Sequence, residues 1–290
     1  MTTVEILIQN MYPQLSKTEK LAADYLMRNI DHVFRYPLAV LAERSGTSQG
    51  AWVRLCKAIG FDGLKDLKTT LFKEIKSSAT ENSPATEYQF IDIQSHENLT
   101  SVANNVCGCS IRAIEDTLKL FDEKALEKAV KKIKVAGRVA IFGINASSIV
   151  ASDLYAKFLR IRYPALYNAD YHVSLTIAAN LTPNDVAIFI SYSGETPDTL
   201  KILNLAKKQG AFIIAITRPG GNIAANNSDV NLFVNSPQTD KRSGAMSSRL
   251  AQFVMADILF TAIVNQDYDR TECYLENTYL ACRGDHTMTK

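Results

Sequence analysis

Several absences narrow this 290-residue chain before any motif is read. Charge of one sign is missing: 32 Lys and Arg stand against 30 Asp and Glu, a net of +2. No strong affinity for polyanions can therefore be read from the chain as a whole. No apolar run reaches the roughly 18 residues needed to span a bilayer. The start, "MTTVEILIQNMYPQLSKTEK", has no basic segment leading into a long apolar one. A cytoplasmic protein with no membrane partner is expected. The five cysteines (Cys56, Cys107, Cys109, Cys273 and Cys282) are an odd number. Only Cys107 and Cys109 are close, and neither has a histidine or cysteine partner at zinc-finger spacing. Ordinary thiols in a reducing compartment are expected, with neither a metal nor a cofactor. Internal repeats and low-complexity tracts are absent too.

What is present is 47% hydrophobic and 21% charged, enough for one large core or two modest ones. The front of the chain reads as helices only. Residues 77–97, "SSATENSPATEYQFIDIQSHE", are small and polar with one proline and suggest a linker. Two helical segments follow, and the pattern then changes to short apolar runs alternating with amphipathic stretches. The runs are "RVAIFG", "ALYN", "DVAIFIS", "AFIIAIT" and "VNLFV", and "SSRLAQFVMADILFTAIV" (247–264) reads as a long closing helix. Uniformly apolar runs of about five residues suit strands covered on both faces, hence a parallel sheet. The expected fold is an all-α domain followed by an α/β doubly wound domain with a five-stranded parallel sheet. The boundaries are 1–77, a linker and the start of a connecting helix at 78–105, and 106–285. Open sheets of this kind bind ligands at the carboxyl ends of their strands.

One of those ends is "SYSGET", residues 191–196, followed by Pro197. Proline fits the first turn of a helix, whose N–H groups then face the loop and favour an anion. Ser191, Ser193 and Thr196 offer hydroxyls, and Gly194 permits close backbone approach. A nucleotide-binding P-loop would place a lysine against the outer phosphates, and there is none here. A single phosphate monoester fits better than a triphosphate. The alternative is that the hydroxyls merely cap the helix.

"SYSGETPDT" resembles the phosphate loop of the sugar isomerase (SIS) domain, and "GINASS" (143–148) resembles its first glycine loop. The resemblance covers roughly residues 125–265. It implies that Ser147, Ser191, Ser193 and Thr196 hold a sugar phosphate. Asn145 stands where the family's first loop has its second glycine, and asparagine is the non-glycine residue most tolerant of positive φ.

In the front domain, Ser16 and Glu19 have the spacing of a capping box, with Leu15, Leu21, Tyr25 and Leu26 expected on one face. "PLAVLAERSGTSQGAWVRLCKAIGFDGLKDL" then reads as helix, turn, helix: Pro37 opens the first helix, Gly46 lies in the turn, Ser48 caps the second and Gly60 ends it. Trp52, Leu55, Cys56 and Ile59 should face the core. Ser48, Gln49, Gly50, Val53, Arg54 and Lys57 are left at the start and on the outer face, as on a helix that reads the major groove. Residues 1–78 hold 11 Lys and Arg against 8 Asp and Glu, a net of +3, which supports DNA contact only modestly. A helical bundle used for oligomerisation has the same periodicity. Joined to an SIS domain, however, this segment is similar to the RpiR family of bacterial transcriptional regulators. Thr47 and Ala51 stand where that family more often has valine and threonine, so base preference does not transfer.

The resemblance implies a DNA-binding regulator, a repressor by expectation, with operator DNA and a phosphosugar effector as partners and no catalytic residue. Its overall character is closest to regulators of sialic acid and amino-sugar catabolism, which suggests an amino-sugar 6-phosphate. A homodimer, or a tetramer of dimers, suits a near-palindromic operator. The competing reading is a sugar-phosphate isomerase or etherase with a helical appendage, whose general base would be His172. His172 could otherwise contact a sugar hydroxyl or be an ordinary surface residue. Arg249 resembles a Ser-Arg pair of the family and could bind ligand or join domains. Lys241 and Arg242 read as a solvated pair, and Glu195 as structural.

Overall fold

The computed structural model describes residues 2–78, 98–237 and 245–283. Residues 79–97 of the expected linker, and Lys241 with Arg242, lie outside the described residues. The chain divides near residue 90 into two compact units.

The first unit is helical: α1 (Thr3–Met11), α2 (Lys17–Arg28), α3 (Ile30–Arg35), α4 (Leu38–Arg44), α5 (Gln49–Ala58) and α6 (Leu64–Ser78). Both halves of the Ser16–Glu19 capping box form at the start of α2. The apolar face of α2 differs from expectation. Ala22, Ala23 and Leu26 are its buried residues, and Leu21 is 50% exposed. Leu21 lies one position before the Ala22–Leu26 stripe, about 100° around the helix from Ala22. Around α5 the expected pattern holds, with Trp52, Leu55, Cys56 and Ile59 all in the core. Burial pushes the Cys56 thiol up to about 11, which leaves it protonated and unreactive.

The second unit carries α7 (Leu99–Lys119), α8 (Glu123–Lys134), β1 (Val139–Gly143), α9 (Ala146–Arg160), β2 (Ala165–Leu166), α10 (Tyr171–Ala179), β3 (Val186–Ile190), α11 (Pro197–Lys208), β4 (Phe212–Thr217), α12 (Ile223–Asn226), β5 (Val230–Phe233), α13 (Met246–Gln266) and α14 (Tyr268–Arg283). All five strands are parallel in the order β2-β1-β3-β4-β5. Alternation along the strands builds two cores. Val139, Ile141, Val186, Ile188, Ile190, Ile214 and Ile216 pack with residues of α8, α9 and α13. Ala140, Phe142, Ala187, Phe189 and Ile213 pack with α10, α11 and α12, where Phe142 and Phe189 stack at 4.9 Å between centroids.

Two elements depart from the sequence reading. The 247–264 helix is not the last, because α14 follows it. Only Thr271 of α14 is buried, so it has no apolar stripe to announce it. The expected strand at 165–168 shrinks to two residues at the sheet edge, paired on one side only. Helix α13 is long and apolar enough, by length and composition, to cross a membrane. Its Ala251, Met255, Ala256, Leu259 and Ile263 belong to the core against the sheet.

Candidate functional site

The strand order reverses direction between β1 and β3, so the loops leaving these neighbouring strands diverge to opposite faces and open a crevice. A pocket of about 180 Å³ occupies that place. Ser147 enters from the loop after β1, Ser191, Ser193 and Thr196 from the loop after β3, and Ser248 and Gln252 from α13. No acidic, basic, histidine or cysteine side chain is among the described lining residues.

The glycines at the two strand ends are sterically required. A Cβ on Gly143 would sit 2.4 Å from the Ser147 carbonyl oxygen, so α9 can start this close to β1 only over a bare backbone. Gly194 has φ +66, and a Cβ there would lie 1.9 Å from Asn222 Oδ1. Its carbonyl accepts from Ala224 N–H at 3.0 Å, and the Glu195 carboxylate accepts from Ile223 N–H at 2.9 Å. Gly194 and Glu195 therefore hold the loop against α12; Glu195 has a structural role. Asn145 takes φ 55 and ψ −124 within a turn closed by Ser147 N–H to the Ile144 carbonyl at 3.2 Å. That is the backbone of the first central residue of a type II′ turn, which glycine normally fills.

Helix capping distinguishes this pocket from four other helix starts of its unit. Helices α7, α8, α10 and α12 begin with side-chain caps from Asn98, Asp122, Asp170 and Asn222. Helices α9, α11 and α13 begin at Asn145, Thr196 and Ala245 with no side-chain cap, and these three cap residues all line the pocket. Thr196 is thus not spending its hydroxyl on the helix, contrary to a pure capping role. The starts of α9 and α11, beside these hydroxyls, turn positive dipole ends toward the pocket without any cationic side chain. Such a surface can hold an anion by hydrogen bonding alone.

Of the residues singled out in the sequence, Ser147, Ser191, Ser193 and Thr196 come together in this pocket. Ser147 Oγ also lies 3.3 Å from Gln252, and Ser193 Oγ accepts from Glu195 N–H at 3.2 Å. Gly194 acts behind the loop. His172 is exposed near the start of α10, with its ring against Tyr171, and does not line the pocket; nor does Arg249. Tyr192, Thr199, Ser248 and Gln252 line it but were not read from the sequence. The available signal was periodicity. Ala245, Ser248 and Gln252 are spaced three and four apart and share one helix face, a spacing that Arg249 fits as well, so periodicity alone does not choose between Ser248 and Arg249.

Tyr192 connects the pocket to the interior. Its hydroxyl donates to the Ser236 carbonyl and accepts from Ser236 N–H, both at 3.0 Å. The next residue back, Asn235, donates its N–H to Thr117 Oγ1 of α7 at 3.1 Å.

In the first unit, the turn between α4 and α5 is pinned by Ser45, which donates to the Leu41 carbonyl at 2.7 Å and accepts from the Trp52 indole at 2.9 Å. Gly46 takes φ +65 in that turn, and Ser48 caps α5 by accepting from Ala51 N–H at 3.2 Å. Ser48, Gln49, Gly50, Arg54 and Lys57 are exposed, and Val53 is half-buried. Arg54 is engaged within the unit, donating from Nε to Glu19 Oε1 at 3.0 Å.

Comparison with known families matches residues 2–78 to the helix-turn-helix domain of the rpiR family and residues 132–262 to the SIS domain. An HTH-type transcriptional regulator of Caldanaerobacter subterraneus is 33% identical over 278 residues, with 96% of each chain covered. The chain belongs to the RpiR family. The regulator YbbH of Bacillus subtilis is also 33% identical, over 279 residues and 96% of each chain. Among solved structures, this RpiR-family fold resembles Vibrio vulnificus NanR complexed with ManNAc-6P (23% identity, TM-score 0.59, 97% of each chain). It also resembles the sugar isomerase domain of an RpiR transcription factor from Sphaerobacter thermophilus (22% identity, TM-score 0.56, 61% of this chain and 98% of that one). The protein is a helix-turn-helix transcriptional regulator with an SIS domain.

Proposed function

We propose that the pocket between the β1 and β3 loops binds the phosphate of an amino-sugar 6-phosphate, and that this effector controls operator binding by the helix-turn-helix unit. The observation that carries the reading is the hydroxyl-lined cavity at the starts of α9 and α11, which have no side-chain caps. Ser147, Ser191, Ser193 and Thr196 are the phosphate-holding residues, with Ser48, Gln49, Gly50, Arg54 and Lys57 facing DNA. The NanR resemblance supports ManNAc-6P as the first effector to try, and regulation of sialic acid or amino-sugar catabolism by repression as the biological role. Such a regulator acts on the chromosome in the cytoplasm, as a homodimer or a tetramer of dimers on a near-palindromic operator. The tyrosine-centred hydrogen bonds from Tyr192 through Ser236 and Asn235 to α7 give the pocket a route toward the chain segment that leads to the DNA-binding unit.

Isomerisation requires a general base over the carbon beside the carbonyl. His172 does not line the pocket, and no described lining residue is an ordinary base, which favours a binding role. Calorimetric titration with ManNAc-6P, glucosamine 6-phosphate and their unphosphorylated parents tests the reading. The phosphorylated sugar should bind and alter DNA retardation, while the parent does neither. Equal affinity for sugar and sugar phosphate sinks it. Aldose–ketose interconversion by the same preparation would restore the isomerase.

A further inference from the structure

A second cavity, of about 290 Å³, lies near the amino ends of β1 and β2 and shares no residue with the first. The end of α8, the turn before β2 and the start of α14 build it. Three of its lining side chains, Lys134, Arg162 and Arg270, are cations, and none is acidic. Like charges gathered at one mouth repel, so this grouping is not explained by stability.

Each cation is positioned, mostly by uncharged groups. Lys134 Nζ donates to the Gln266 carbonyl at 3.1 Å, and Arg162 Nη1 donates to the Tyr274 hydroxyl at 3.3 Å. Arg270 Nε pairs with Asp267, outside the lining, at 3.1 Å. The two guanidinium groups also lie over rings, Arg162 5.5 Å from the Tyr274 centroid and Arg270 5.3 Å from that of Tyr163. Cation–π contact fixes a guanidinium without neutralising it.

Two further observations mark the cavity as a site. Tyr163 lines it and is only 5% exposed, and its buried hydroxyl lies beside the Arg270 guanidinium without a hydrogen bond of good geometry. A buried polar group left so poorly satisfied is costly and calls for an explanation. Arg162 also holds the left-handed position (φ +56) after α9. There its N–H bonds to the Leu159 carbonyl and Tyr163 N–H to that of Phe158, the hydrogen bonds of a Schellman cap. Glycine is the usual residue there. Keeping arginine accepts backbone strain for the sake of the side chain.

We propose that this cavity is a second ligand site, taking a compact, doubly charged oxyanion between Arg162, Arg270 and Lys134, with the Tyr163 hydroxyl as a further donor. An organic phosphate and a dicarboxylate share that chemistry. The site is independent of the sugar-phosphate pocket, so either can fail alone.

The test is calorimetric titration of the full chain carrying Ser193→Ala, at constant ionic strength, with inorganic phosphate, succinate and neutral glycerol. Saturable one-to-one binding of phosphate or succinate, and none of glycerol, is expected; the preferred anion identifies the source. Arg162→Gly suits the backbone and should fold at least as stably, yet weaken binding about tenfold, as should Arg270→Gln. Tyr163→Phe should raise the melting temperature of the free protein and weaken binding severalfold. No saturable binding of either anion, or binding unchanged in Arg162→Gly and Arg270→Gln, overturns the proposal.

Discussion

The Glu19 carboxylate closes the capping box of α2 with one oxygen, accepting from Ser16 N–H at 2.9 Å, and holds Arg54 of α5 with the other at 3.0 Å. The helix expected to read DNA is thereby tied to the start of another helix. The Glu19 side chain is only 14% exposed, whereas that of Arg54 is 59% exposed, so the pair contributes at most about 1 kcal/mol. Arg54→Ala should leave the melting temperature nearly unchanged and weaken operator binding, with the salt dependence flattened by about one unit. Lys57→Ala should do the same. Glu19→Gln keeps a capping partner but releases Arg54, so operator affinity should rise. DNA retardation across a salt series decides, and indifference of both Arg54→Ala and Lys57→Ala would remove α5 from the interface.

In the pocket, Ser193→Ala should fold normally and bind the sugar phosphate about tenfold to a hundredfold more weakly. One hydrogen bond to a charged group is worth about 1.5–3 kcal/mol. A Ser191→Ala, Ser193→Ala double variant should be nearly blind to effector while still retarding DNA. Calorimetry and retardation on the same samples check both. Retained affinity in the double variant would assign the hydroxyls a merely structural role.

Backbone geometry makes opposite predictions two residues apart. Gly143→Ala drives a Cβ into the Ser147 carbonyl, a backbone atom that cannot swing aside, and should destabilise by at least about 2–3 kcal/mol. Asn145→Gly relieves strain at φ 55 worth about 1–3 kcal/mol, less about 0.5–1 kcal/mol for glycine's extra freedom when unfolded. Its melting temperature should rise slightly. Chemical denaturation of both variants measures the pair, and a less stable Asn145→Gly would show that the turn is unstrained.

At the start of β3, Asp185 accepts from Arg138 Nη2 at 2.7 Å and from Thr182 N–H and hydroxyl at 2.7 and 2.9 Å. Burial pushes its carboxyl up, but the bonds from Arg138 and Thr182 outweigh this and hold it below the usual carboxylate range. A folded value below the unfolded one (about 3.9) means that its stabilisation is complete above that pH. The stabilisation is lost as pH falls through the lower folded value. Asp185→Asn should therefore cost about 2 kcal/mol at pH 7 and flatten the loss of stability below pH 4. Urea midpoints from pH 7 to 3 give the slope, and an unchanged acid limb would refute the coupling.

The sequence by itself determined what depends on neighbours in the chain. Uniform apolar runs such as Val186–Ile190 announce strands buried on both faces, and Pro197 after a run of hydroxyls announces a helix start. The Ser16–Glu19 and Ser48 caps, the Gly46 turn and the Trp52–Ile59 stripe are likewise local, because each follows from spacing along a single helix or turn. The two loop motifs are local as well: Ser191, Ser193 and Thr196 stand in one and Ser147, singled out by family resemblance, in the other, and all four line one pocket. Only the tertiary structure decided what depends on distant partners. Ser248 and Gln252 reach the pocket from a helix about a hundred residues beyond Ser147, and His172 and Arg249, though near it in the chain, do not line it. The pairing of Arg54 with Glu19 crosses 35 residues. The basic cavity gathers Lys134, Arg162 and Arg270 from three separate elements. Such placements follow from strand order and helix packing, which no local pattern encodes.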